Sequence, residues 1–345
     1  MNPKSIINLF SILVLLFSFS FIFPIVISII FDDGALPIFL KTLISIFLIG
    51  LIGLFFTRNI KNDLSQKDGF VIIVMFWIVL SLTGSVPFYL SGMSLIDSVF
   101  ESMSGITTTG ATVISSLDGL PESLLFYRQL LQWMGGMGLI VLAIAVMPLL
   151  GIGGGQIYKT EVPGAMGEQR LTPRIKETAQ ALWLIYFGLT AICGVLYYLS
   201  GMNAFDAISH AMSTVAIGGF STHDESIGFF NSISIELICI CFMLLSAISF
   251  ALHYFAIYKK KPLKYAFDPE FRFFISFLLA TLLIAVFIGF FVGSDKSPSL
   301  REIIFHTVSM VTTTGFSISD SSDWPFSMSF LLLIGAFVGA CSGSV

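Results

Sequence analysis

The chain has 345 residues, 56% of them hydrophobic and 11% charged, with a mean hydropathy of +0.94. That is too apolar for a water-soluble domain, and it places the chain in a lipid bilayer. The formal net charge of −4 says little in that setting, because the placement of charges matters more than their sum.

Residues 6–31 and 37–56 are each long enough for a membrane-spanning helix, which needs about 20 apolar residues, with Asp32 and Asp33 between them. A signal peptide would have a shorter apolar core and a small-residue cleavage site, and neither is evident. Further spans are expected at 69–90, 124–150, 179–199, 233–258 and 271–292, with a last one starting near Pro325 and still running at Val345. Lys4 and the stretches 58–67, 159–176 and 259–272 hold 13 of the 17 Lys and Arg, all on one predicted side. By the positive-inside rule that side, with the N-terminus, is cytoplasmic. Asp118, Glu122, Asp224, Glu225, Asp320 and Asp323 lie on the other. Cys193, Cys239, Cys241 and Cys341 sit in apolar runs without metal-ligand spacing and read as packing residues.

One segment occurs three times. Asp97 to Ala111 falls on Asp206 to Phe220 and on Glu302 to Phe316; each copy begins with a carboxylate, carries Ser104, Ser213 or Ser309 at one matched position, and reaches Gly110, Gly219 or Gly315. About ten helical residues cover roughly 15 Å, half the hydrocarbon thickness. Such a segment enters the membrane without crossing it. The chain must then return as non-helical backbone, tolerated at that depth only where it is buried in protein or lines an aqueous cavity. A lone Thr-Thr-Thr-Gly is more often a helix-packing patch, but three copies in one topological slot, on one side, point to permeation.

The candidate site is therefore Thr107, Thr108, Thr109 and Gly110, then Ala216, Ile217, Gly218 and Gly219, then Thr312, Thr313, Thr314 and Gly315. Main-chain carbonyls from several such stretches can replace the water of a dehydrated monovalent cation. The glycines supply backbone angles that a side chain forbids, and the threonine hydroxyls serve as further oxygen ligands or as packing. The preceding half-helices aim their negative dipole ends at the same place. No carboxylate cage lies within the loops.

Other polar residues have two readings. Arg128 and Glu236 lie 18 and 17 residues after their filter glycines. Arg128 is expected to brace a pore helix or filter against Glu101 or Asp118, with snorkelling as the alternative. His210 and His306 occupy the slot of Glu101, where a hydrogen-bonded structural role is favoured over proton sensing. Gly135, Gly136 and Gly138 read as a packing patch. The run Gly151 to Gly155 lacks the strand, spacing and downstream acid of a dinucleotide fingerprint, and no P-loop is present, so no enzyme is expected.

The stretches QWMGGMGLIVLAIAVMP (132–148), HAMSTVAIGGFSTHD (210–224), TTTGFSISDSSDWP (312–325) and GACSGS (339–344) resemble the membrane subunit of the Trk/Ktr/HKT potassium transporter superfamily, the bacterial TrkH type above all. The similarity runs over essentially the whole chain. It implies an all-α polytopic membrane protein with about eight spans, the last incomplete. After an N-terminal helix pair (1–68) come potassium-channel-like helix–pore helix–helix repeats at 69–177, 178–264 and 265–345, three of an expected four. It also implies potassium as the transported ion, no covalent cofactor, a homodimer with a pore in each protomer, and location in the bacterial inner membrane. A cytoplasmic TrkA-type partner would bind the regulatory nucleotide, and the basic stretches 159–176 and 259–272 lie on its side. No nucleic acid partner is implied. In related plant transporters a serine at the first filter glycine goes with sodium, so Gly110 points to potassium. Gly339, Cys341, Ser342, Gly343 and Ser344 correspond to a gating loop that breaks the helix beneath the filter.

The filter glycines are 109 and 96 residues apart, which places a fourth about a hundred residues past Gly315, beyond Val345. The expectation is a truncated form not competent alone. A secondary Na+/K+ or H+/K+ symporter with alternating access is the competing class, although three repeats in one orientation favour the channel-like reading. A degraded or dominant-negative product is a third.

Overall fold

Because the bilayer interior offers backbone groups no water, a spanning chain must satisfy them internally, and among the described residues every regular element is a helix. The computed structural model describes residues 3–57, 66–138, 175–291 and 298–343. The basic stretches 58–65 and 159–174, the glycine run 151–155, the second half of the span expected at 124–150, Asp295 and Ser344 lie outside them. The chain forms two compact units, one holding residues 1–107 and 111–180, the other 108–110 and 181–345.

In the first unit, α1 (Pro3–Ser18) passes through a 3-10 turn at Phe19–Phe21 into α2 (Ile22–Phe31). Pro24, just beyond that turn, lacks an N–H and crowds the carbonyl four residues back, which accounts for the irregularity. Asp32, in the left-handed region at φ 52°, ends the rod. Helix α3 (Leu36–Thr57) packs on α1 through glycines: a Cβ on Gly53 would lie 2.1 Å from Ser11 Oγ. Asn8 Nδ2 donates to Thr57 Oγ1 at 2.8 Å across the same pair. Then come α4 (Gln66–Gly84), α5 (Val86–Leu90), α6 (Leu95–Ile106) and α7 (Glu122–Trp133). Tyr127 of α7 centres the core. Phe21, Phe39 and Phe88 stand around its ring at 5.4–5.6 Å, and its hydroxyl donates to the Gly84 carbonyl at 2.8 Å, where α4 gives way to α5.

Asp33, between the first two spans, caps α7 from a distance: Oδ2 accepts the Ser123 N–H at 2.8 Å, and Oδ1 accepts the Ala35 N–H at 3.0 Å and the Ser28 hydroxyl. Desolvation alone would raise its pKa, but these hydrogen bonds outweigh it and hold the carboxyl below its usual range. The stabilisation is therefore present above the unfolded-state value and lost as pH falls through the folded one. Melting of the purified protein should show an acid-side loss below about pH 4 that is smaller in Asp33→Asn; identical acid limbs would contradict the cap.

The second unit contains most of α8 (Ile175–Leu199), then α9 (Ala204–Ala216), α10 (Ile233–Ala247), α11 (Phe250–Ile257), α12 (Lys264–Phe267), α13 (Pro269–Phe291), α14 (Leu300–Val311) and α15 (Phe326–Gly343). The span expected at 233–258 is thus two helices. Ile248 takes extended angles (φ −82°, ψ 138°). His253 fastens the break, its Nε2 donating to the Leu245 carbonyl at 2.8 Å and its Nδ1 meeting the Tyr265 hydroxyl at 2.8 Å. Hydropathy is blind to such a break.

Among the described residues four helices are long and apolar enough to cross a membrane, at 4–31, 36–57, 180–199 and 269–291. Their outward faces carry rows such as Ile29, Ile30 and Phe31, or Phe287, Phe290 and Phe291. So much contiguous apolar surface suits lipid and not water.

Candidate functional site

Three short helices carry the repeated segment: α6, α9 and α14, of 12, 13 and 12 residues. Each starts at a side-chain cap. Ser94 accepts the Asp97 N–H at 3.1 Å, Asn203 accepts that of Asp206 at 2.8 Å, and Ser299 accepts that of Glu302 at 3.3 Å while Glu302 reaches back to the Ser299 N–H. The carboxylate opening each copy is thus the third residue of a capped helix, where it also favours the positive dipole end. The residue pair that signals this, Ser or Asn followed three positions on by Asp or Glu, is visible in the sequence.

At the other end all three helices give way to the same backbone. φ is positive at Thr108, Ile217 and Thr313 (55°, 55°, 59°), not at Thr109, Gly218 or Thr314, and positive again at Gly110, Gly219 and Gly315 (76°, 79°, 85°). A left-handed β-branched residue is strained by about 1–3 kcal/mol and persists only where its surroundings fix it. Here the helix ends do so. Ser213 O accepts the Gly218 N–H at 2.9 Å, Ser309 O accepts the Thr314 N–H at 2.8 Å, and Met310 O accepts the Thr313 N–H at 3.0 Å. Thr107 and Thr312, expected as ligands or packing, donate their hydroxyls back to Met103 O and Val308 O at 2.7 and 2.8 Å.

Within the second unit these stretches touch through their backbones. A Cβ on Gly110 would lie 2.2 Å from the Gly218 carbonyl oxygen, and one on Gly219 would lie 1.9 Å from that of Thr314. Only glycine permits such approach. The corresponding face of Gly315 has nothing within 4 Å among the described residues.

The slot shared by Glu101, His210 and His306 fastens the chain leaving each loop. Glu101 Oε2 accepts the Thr112 hydroxyl at 3.0 Å and the Val113 N–H at 3.3 Å; His210 Nε2 meets Ser221 Oγ at 2.9 Å; His306 Nε2 accepts the Ile318 N–H at 3.3 Å. Arg128 Nε donates to Glu101 Oε1 at 2.7 Å, both side chains being essentially unexposed. Glu236 pairs with Arg301 on the first turn of α14, Nε to Oε2 at 2.6 Å and Nη2 to Oε1. The sequence reading did not single out Arg301. Position-matched Arg128 and Glu236 thus carry opposite charges, Arg128 bound to α6 and Glu236 to α14.

Two glycines sit close to the C-terminal ends of α6 and α14. A Cβ on Gly135 would lie 1.9 Å from the Ile106 carbonyl, and one on Gly339 would lie 1.8 Å from that of Val311. Gly135 lies in a π-helical stretch (Met134–Gly138), a distortion common at functional sites. Gly339 was expected to begin a helix-breaking loop, but the backbone stays helical through Cys341, Ser342 and Gly343; the glycine gives close approach to Val311 without ending the helix.

Long apolar helices, with short capped helices among them that give way to glycine-punctuated backbone of alternating handedness, define an all-α polytopic membrane protein. Residues 35–345 match TrkH, a family of cation transport proteins, and the chain belongs to that family, which is one of membrane transporters and not of enzymes. The Trk system potassium uptake protein TrkH of Halomonas elongata is 48% identical over 349 residues, a match covering 100% of this chain and 72% of the relative. The Escherichia coli K12 protein described in the same words is 44% identical over 350 residues, with the same coverage. The crystal structure of the potassium transporter TrkH from Vibrio parahaemolyticus superposes with a TM-score of 0.85 at 44% identity, covering 100% of this chain and 72% of that one.

Proposed function

We propose that the chain takes up potassium as the ion-translocating membrane subunit of a Trk-type system, conducting K+ through a filter of backbone carbonyls at 107–110, 216–219 and 312–315. The observation that supports this most is the backbone pattern shared by three loops packed glycine against carbonyl. Carbonyls so crowded, with no carboxylate among them, suit a dehydrated monovalent cation better than a divalent one. The pore helices end at these loops, and their negative dipole ends add to the attraction. Arg128 and Glu101 support the first loop, and Gly339, Cys341, Ser342, Gly343 and Ser344 form the gating element below the third. The N-terminus is cytoplasmic, the protein works as a homodimer, and a TrkA-type nucleotide-binding subunit docks on the basic cytoplasmic side.

The relatives are longer, and a further loop of the same kind would pack against the open face of Gly315. Residues 1–345 by themselves are then not competent for selective conduction. The test is potassium uptake in cells stripped of their own uptake systems, comparing residues 1–345 with the same chain extended by a homologous fourth repeat. Growth at low potassium is expected only with the extended form. Rescue by 1–345 alone overturns the need for a fourth loop, and failure of both overturns the transport assignment.

A further inference from the structure

We infer that Ser104 and Ser309 are positioning residues that set the outer limit of the filter, each pinning to its pore helix the first carbonyl beyond the filter glycine. Ser104 Oγ donates to the Ala111 carbonyl at 2.5 Å, and Ser309 Oγ donates to the Phe316 carbonyl at 2.7 Å. Both bonds span seven residues, both start from the same slot of the repeat, and both end on the residue directly after the glycine. Both serines are buried, at 5% and 0% exposure, where a neutral hydrogen bond is not diluted by water.

The two ends of the loop meet on this one residue. While the Ser309 hydroxyl holds Phe316, the Ser309 carbonyl accepts the N–H groups of Thr314 at 2.8 Å and Gly315 at 3.3 Å. Ser213 of the second copy offers its carbonyl to Gly218 in the same manner. A single serine therefore fixes both the entry of the three-residue stretch, by its peptide oxygen, and the exit, by its hydroxyl. A carbonyl drawn toward the helix is withdrawn from the ligands a cation can use, so the row of coordinating oxygens stops at the glycine. Without the hydroxyl, the exit peptide is free to rotate and leaves a buried acceptor unsatisfied. The row lengthens or loosens, and discrimination between ions of different radius weakens. This role rests on the carbonyl-filter reading proposed above, whereas the hydrogen bond itself does not.

Two measurements separate them. In residues 1–345, carbonyl-labelled alanine combined with nitrogen-labelled threonine marks two peptide bonds, Ala111–Thr112 and Ala280–Thr281. In protein reconstituted into lipid nanodiscs, Ser104→Ala should move the Ala111 carbonyl resonance upfield and leave that of Ala280 in place, while Ser104→Thr, which keeps a hydroxyl, should stay near the parent position. In whichever form takes up potassium, Ser104→Ala and Ser309→Ala should each lower the rubidium-over-sodium uptake ratio by about fivefold, the equivalent of one neutral hydrogen bond, with threonine restoring it. An unmoved Ala111 resonance overturns the latch. A moved resonance with an unchanged ratio reduces the serines to structural struts and overturns their part in ion choice. Absence of uptake by both parent forms overturns the carbonyl-filter reading, and the positioning role with it, even where the resonance moves.

Discussion

Gly219→Ala is expected to lower selective potassium uptake by about a hundredfold while leaving the amount of protein in the membrane nearly unchanged. The added methyl would lie 1.9 Å from the Thr314 carbonyl oxygen, and that oxygen is backbone, so no side-chain rotation relieves the overlap. The residue also sits at φ +79°, which costs an alanine about 1–2 kcal/mol. Together with the displaced neighbour this amounts to roughly 3 kcal/mol, equivalent to about two powers of ten if it falls on the conducting geometry. Gly110→Ala meets the Gly218 carbonyl at 2.2 Å and should behave alike. Gly315→Ala separates strain from crowding. At φ +85°, with nothing within 4 Å of its added Cβ among the described residues, it carries only the conformational cost in residues 1–345. In a form extended by a further repeat it should become as damaging as the other two, because the new loop would face it. Melting of residues 1–345 reads the conformational cost of Gly315→Ala, and rubidium uptake by the extended form, normalised to membrane protein detected by antibody, reads all three. Parent-level uptake by Gly219→Ala would remove the support for a filter at these loops.

The helical repeat was readable because its signals are local. The half-helix length, the matched serine and the terminal glycine recur at fixed spacing in Asp97–Ala111, Asp206–Phe220 and Glu302–Phe316, with the three threonines in the first and third copies only, and the positive φ at 110, 219 and 315 falls on glycine each time. The matched serines were visible as a matched position, but their bonds to Ala111 and Phe316 were not, since a seven-residue reach depends on how the loop folds back. The Arg301–Glu236 pair was out of reach for a stronger reason. Spacing places Glu236 opposite Arg128, yet its partner is set by which pore helix α10 lies against, a fact of packing and not of sequence interval. The break at Ile248 escaped because an uninterrupted apolar run looks the same whether its helix is whole or split. Gly339 misled in the opposite direction: a glycine can end a helix or let another backbone approach it, and here the Val311 carbonyl selects the second use.

Removing one partner of the Arg128–Glu101 pair should destabilise the protein by about 3–5 kcal/mol, and removing both should cost much less than the sum. The side chains are 1% and 0% exposed, so neither charge can turn to water when the other is taken away. Arg128→Met leaves the Glu101 carboxylate buried, hydrogen-bonded to the Thr112 hydroxyl and Val113 N–H but without the guanidinium beside it. Glu101→Gln takes from the buried guanidinium the carboxylate it donates to and weakens the hold on the leg that leaves the first loop. The double variant Glu101→Gln/Arg128→Met removes both charges and retains an amide able to accept from Val113. Glu236 and Arg301 give the internal comparison: Glu236 is 4% exposed but the Arg301 side chain is 42% exposed, so Glu236→Gln releases a guanidinium that water can receive, and its cost should approach that of an exposed pair, about 1 kcal/mol or less. Melting of the four variants in one detergent ranks them, with Arg128→Met and Glu101→Gln lowest, their double in between, and Glu236→Gln near the parent. Additive losses in the double would mean that the two side chains act independently, and the first loop would then lack the charged brace assigned to it.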